Sequence, residues 1–175
     1  MSETDTGAQR PEDERMTSLL VRMFEHNRWA NLRAIAASAD LTDARLDMTV
    51  AGTAGSVRET LMHIAGAEQR YVMRLSGRQP TYGEQDGWLG VDCLGQALAE
   101  SGQCLIDLAA TADPDAVLEG EDQGRRTKVP VAIVYVQAIN HATEHRSQIA
   151  TILSQQGVEP PDFSGWAWNR DALSS

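Results

Sequence analysis

The sequence predicts an all-α fold, a four-helix bundle, and three observations lead there. Four stretches of about twenty residues carry apolar side chains at the three- and four-residue intervals of a helix. Clusters of turn-forming residues separate them. Almost no segment keeps the strict alternation of a half-buried strand. The exception is a short region between the third and fourth helices with room for a small β-hairpin. At 175 residues the chain is long enough to bury a core within one domain.

The chain opens on a polar, acidic segment with Glu3, Asp5, Glu12, Asp13 and Glu14, so residues 1–15 are expected as a disordered arm and 16–175 as the bundle domain. From Thr17, Leu20, Phe24, Asn27, Asn31 and Ile35 recur at helical spacing, which places the first helix over about 17–39. Asp40, Thr42, Asp43, Gly52 and Gly55 mark a connection. Ser56 then precedes Glu59 by three residues, the pattern in which each side chain bonds the other's backbone N–H and opens a helix. Val57, Leu61, Ile64, Glu68, Val72 and Leu75 form the inward stripe of that second helix, which ends at Gly77–Pro80. Residues 79–90 read as loop. Leu94, Leu98, Leu105 and Leu108 carry the third helix over about 91–112. Glu119-Gly120-Glu121-Asp122-Gln123-Gly124 is the turn cluster of the hairpin. Val131–Val136 is β-branched and locally strand-like. Helical spacing nevertheless runs on through Ile139, Ile149 and Ile152 to Gly157, so a fourth helix begins there, with Pro130 in its first turn. The remainder, with Pro160-Pro161, Trp166 and Trp168, is expected to fold back across the bundle, anchored by its tryptophans.

Charge and composition exclude several partners. With 25 acidic against 15 basic side chains the formal net charge is −10, and no basic stripe runs along the chain. A surface tracking phosphates needs such a stripe, so no nucleic-acid partner is expected. The longest apolar stretch, 129–139, is too short to span a bilayer, and the N-terminus lacks a secretion-signal layout, so the expectation is a cytoplasmic protein with no membrane partner. Cys93 and Cys104 stand on one helix about 16 Å apart along its axis, too far for a bridge, and read as small buried apolar side chains.

The chemistry lies in the histidines. His141 and His145 are four residues apart, so both rings project from one helical face within reach of a single ion. Imidazole nitrogens on such a face converge at ~2.0–2.1 Å from a metal. Two hydrogen-bonded or surface histidines would show the same spacing. His63 lies beside the inward stripe of the second helix, between Met62 and Ile64, where a histidine must find a hydrogen-bond partner or coordinate something. Glu144 fits either an acceptor behind these rings or a solvated charge.

At these residues the chain resembles the DinB-like (YfiT-like) metal-binding bundles. Asn140-His141-Ala142-Thr143-Glu144-His145-Arg146-Ser147-Gln148-Ile149 resembles their closing helix, and Ser56-Val57-Arg58-Glu59-Thr60-Leu61-Met62-His63-Ile64 their second. Asn27-Arg28-Trp29-Ala30-Asn31 is similar to their first-helix motif. The resemblance covers about residues 17–170. It implies an up-down-down-up bundle, often a homodimer, with a divalent metal, zinc or nickel, held by His63, His141 and His145. Two positions depart from the pattern. Ser147 stands where glycine is common, and His26 where an aromatic or polar residue is usual. His26 is therefore a candidate extra ligand or base, with a partly exposed helix-one histidine as the plain alternative.

Structural zinc sites are closed by four protein ligands, often thiolates, whereas three imidazoles leave a position open. Neither cysteine is placed to close it. An open site lowers the pKa of a bound water or thiol. Relatives that activate a low-molecular-weight thiol imply a metal-dependent transferase acting on a small-molecule substrate. The alternatives are a metal-dependent hydrolase and a non-enzymatic metal-binding stress protein. His26 and Glu144 are the candidate proton carriers.

Overall fold

The computed structural model describes the backbone of residues 10–113, 115–122 and 125–174, and the side chains of all of these except 10–18, 121, 122 and 125. Six helices and one hairpin are present among them: α1 (Arg10–Ser38), α2 (Asp43–Leu46), α3 (Val57–Ser76), α4 (Val91–Ala110), β1 (Val117–Asp122), β2 (Arg125–Pro130), α5 (Val131–Gln155) and α6 (Gly165–Leu173). The four long helices are the expected ones, and no helix among the described residues is long and apolar enough to cross a membrane.

Their directions follow from two core clusters. The C-terminal half of α1 (Ala34, Ile35) packs with the N-terminal halves of α3 (Leu61, Ile64) and α4 (Leu94, Leu98) and the C-terminal half of α5 (Ile149, Ile152). At the other end Phe24 of α1 meets Val72 of α3, Leu105 of α4, and Val131 and Tyr135 at the start of α5. Helices α1 and α5 therefore run one way and α3 and α4 the other, an up-down-down-up bundle. The Phe24 and Tyr135 rings meet edge to face at 5.4 Å, a favourable arrangement of ring quadrupoles.

Local chemistry sets the helix ends. Helix α1 starts at Arg10, not Thr17, so the arm expected over 1–15 is helical from residue 10; residues 1–9 lie outside the described residues. Pro11, with its fixed φ, fits a first helical turn, which accounts for the earlier start. Helix α2 is one turn within the expected connection, and Glu84–Asp86 forms a 3-10 turn within the expected loop. The hairpin is antiparallel, with Val117 opposite Pro130 and Gly120 opposite Thr127. Pro130 ends β2 and caps α5 instead of entering its first turn, since a residue without N–H fits a strand end. The β-branched start of α5 is helical because Val131, Val134, Tyr135 and Ala138 are then all buried. Burial of that face outweighs local preference.

The C-terminal segment differs most from expectation. It folds into α6, with Ser164 accepting from the Ala167 N–H at its N-cap. Trp166 is 79% exposed and anchors nothing; the contact is made by Ala167, which is buried, and by Trp168, whose ring lies 5.7 Å from that of His26. Cys93 is exposed and Cys104 half-buried, not two core residues, because α4 turns that side outward.

Candidate metal centre

Helix α3 delivers the first histidine. Ser56 Oγ accepts from the Glu59 N–H at 3.2 Å, and Glu59 Oε2 accepts from the Ser56 N–H at 2.8 Å, the reciprocal cap expected at that position. Gly77, at φ 74° in the left-handed region, ends the helix. Between these ends Leu61, Ile64, Glu68 and Val72 turn inward and His63 sits at the stripe's edge, its side chain 38% exposed. Helix α5 delivers the other two: His145 is buried, and His141, one turn earlier, is half-buried.

The three rings face one another, with centroids 4.8 Å apart for His63–His141, 4.7 Å for His63–His145 and 4.4 Å for His141–His145. One ligand atom from each lies within 4.8 Å of the others. Nε2 of His63 is 2.9 Å from Nε2 of His141. Two imidazole lone pairs that close repel unless a proton or a cation lies between them. Tetrahedral ligation at ~2.0–2.1 Å sets neighbouring nitrogens about 3.3 Å apart, a separation that falls between this contact and the 4.8 Å that bounds the group. The three histidines form a group that could hold a metal.

Partners behind the rings orient two of them. Nδ1 of His63 is 3.0 Å from Oε2 of Glu84, whose Oε1 accepts from Nη1 of Arg70 at 2.6 Å. Partial burial raises the Glu84 pKa, but hydrogen bonds from His63 and Arg70, and the Arg70 charge, outweigh it and hold the group below the ordinary carboxylate range. An ionised carboxylate only accepts, so His63 carries its proton on Nδ1 and offers Nε2 to the centre. Gln148 Oε1 plays this part for His145 at 2.9 Å from Nδ1, and also accepts from the Ala54 N–H at 3.3 Å. Burial, followed by the neighbouring His145 and His63, pushes the His141 pKa down to about 4, so this ring is neutral at pH 7.

A second polar cluster lies deeper. Oε2 of Glu68 accepts from Nδ2 of Asn31 at 2.8 Å and of Asn27 at 3.3 Å, and Oε1 accepts from Ser101 at 2.6 Å. The amide oxygens of Asn27 and Asn31 accept in turn from Nη1 of Arg146. Two amides thus relay between a buried acid and a buried guanidinium. Burial raises the Glu68 pKa to about 7, against the Ser101 bond, the Arg146 charge and the two amides. The cluster joins α1, α3, α4 and α5 one residue after His145. The periodicity set Glu68, Asn27 and Asn31 on inward stripes without a role; polar residues at core positions on two helices were the available signal.

Glu144 is exposed on α5, and no hydrogen bond joins it to the histidines among the described residues. His26 faces the C-terminal segment, its Nε2 2.9 Å from the Phe163 carbonyl and its ring beside Trp29 and Trp168. Trp29 is half-buried, not core, and donates to Asp171 at 3.2 Å. It lines a cleft of about 660 Å³ with Arg22, Arg28, Arg33 and Trp168, which contains none of the three clustered histidines.

Comparison with known proteins places this architecture. The chain resembles a solved structure of a DinB-like protein from Bacillus cereus, with 15% sequence identity and a TM-score of 0.62 over 82% of this chain and 94% of that one. At that identity the likeness shows the fold alone. No curated protein matches the chain. The profile of the DinB family matches residues 14–171, which takes in α3, α5 and all three clustered histidines, and the chain belongs to the DinB family.

Proposed function

We propose that His63, His141 and His145 bind one divalent metal ion, zinc or nickel, and that the protein is a metal-dependent transferase using a low-molecular-weight thiol. The observation that carries this reading is the convergence of three imidazoles without a fourth protein ligand in the group among the described residues. His63 and His141 are half-buried, so two of the three rings are within reach of solvent. Bound there, a divalent ion supplies Lewis-acid charge that favours the ionised form of a thiol or water at its open position.

The surrounding residues favour the thiol. Hydrolysis needs a group that carries a proton to or from the reacting atoms. Glu144 is exposed, His26 is turned to the C-terminal segment, and Glu84 is engaged with His63 and Arg70. A thiol whose ionisation is favoured at the centre needs less such help. The chain's own residues then hold the ion's geometry, keep His141 neutral and leave one side open to substrate.

Elemental analysis of the purified protein beside His63→Ala and His145→Ala tests the site. About one ion per chain in the wild type and its loss in both variants is expected; full retention in both variants refutes it. Metal-loaded protein with an electrophile and a panel of small thiols tests the reaction, and turnover independent of thiol would replace transfer by hydrolysis.

A further inference from the structure

We infer that Glu84 is the positioning residue of the three-histidine group, and that Gly66 is the residue that lets it work. The inference rests on the metal reading above and concerns how the apposition of the rings is set. His63, Gly66 and Arg70 follow one another at three- and four-residue steps and so share one face of α3. Glu84 comes from the turn between α3 and α4 and spans that face, one oxygen on His63 and the other on Arg70. It lies directly over Gly66. A Cβ there would fall 2.7 Å from Cγ of Glu84, 3.1 Å from its Oε1 and 3.3 Å from Nη1 of Arg70. Glycine inside a helix is unfavourable relative to alanine, and the room it leaves is filled by this carboxylate arm.

Two consequences follow for the centre. The bond to Glu84 fixes the proton of His63 on Nδ1 and aims Nε2 at His141, which neither the helix nor the core does, since the ring stands at the edge of the stripe. Among the described residues Glu84 is also the one carboxylate hydrogen-bonded to a ring of the group, through His63, so it supplies a negative charge that imidazole ligands lack. Carboxylates behind a ligating histidine commonly change metal affinity by about 10–100-fold.

The tests are the His63 tautomer, read by long-range proton–nitrogen NMR correlation in metal-free protein, and zinc affinity, read by competition with a chromophoric chelator. The variants are Glu84→Ala, Glu84→Gln and Gly66→Ala. Expected are a His63 ring held as the Nδ1–H form in the wild type and in Glu84→Gln, which keeps an acceptor oxygen. Glu84→Ala should lose that preference and about 10–100-fold in zinc affinity. Gly66→Ala should do the same by displacing the intact Glu84 arm, while its thermal midpoint stays level or rises. A merely structural role predicts the reverse, affinity following stability. An unchanged tautomer, with zinc affinity within twofold of wild type in both alanine variants, overturns the inference. If the wild type bound neither zinc nor nickel, the metal reading would fail, and the tautomer measurement would still decide the role of Glu84.

Discussion

His141 and Glu68 are pulled in opposite directions by the same cause. Burial disfavours charge, so the imidazole falls to about 4 and the carboxyl rises to about 7. Below pH 6.5 an unfolded chain protonates His141 while the folded chain refuses the proton until about pH 4, so this residue makes stability fall as pH falls through that window. Glu68 works the other way, holding its proton in the folded state between 4.5 and about 7, so its stability contribution is full at low pH and lost as pH rises through 7. The two are separable. Urea unfolding of metal-free protein at pH 7 and pH 5 should show that acidification favours the fold more in His141→Gln, which keeps the Glu68 gain, than in the wild type, where the His141 loss offsets it. Equal changes in the two proteins would mean that His141 does not resist protonation in the fold.

At the scale of elements, α3 depends on its first turn. Three of its contributions to the centre, His63, Gly66 and Arg70, lie within four turns of the Ser56–Glu59 cap. Ser56→Ala removes one of the two reciprocal bonds and should cost about 1 kcal/mol in urea denaturation. Ser56→Gly should cost less, since glycine is tolerated at an N-cap. The hairpin shows how an element boundary can be set from outside the helix: β2 runs directly into α5, and the Val131 N–H bonds back to the Ala116 carbonyl at 2.9 Å. That bond satisfies one donor that the first turn of α5 would otherwise leave open.

The whole molecule is tied together by the Glu68–Asn27–Asn31–Ser101–Arg146 cluster, which crosses the core where all four long helices meet. Glu68 is 4% and Arg146 2% exposed, so above pH 7, where Glu68 is ionised, removing its charge leaves that of Arg146 buried without compensation. Glu68→Leu should therefore destabilise the fold by about 3–5 kcal/mol, far beyond an ordinary surface substitution. A change below 1 kcal/mol by calorimetry or urea would contradict the relay described for this cluster. Because Arg146 follows His145 directly, the same variant should also weaken metal retention at temperatures where the fold persists.

The sequence by itself determined the fold class, the four long helices, the reciprocal cap at Ser56 and Glu59, the hairpin and the pairing of His141 with His145, to which the family resemblance added His63. These are legible because they rest on local periodicity, turn chemistry and the four-residue step that sets His141 beside His145. Only the tertiary structure decided what stands behind those rings. Glu144 was the nearest acid in sequence, yet helix geometry sends it to solvent, and Glu84, 21 positions from His63, arrives through a loop whose path no periodicity encodes. The same holds for α6, whose nine residues carry too little pattern to predict a helix, and for His26, which turns to the Phe163 carbonyl because the C-terminal segment returns to α1. Spacing fixes which residues share a face, whereas which faces meet depends on packing between segments far apart in the chain.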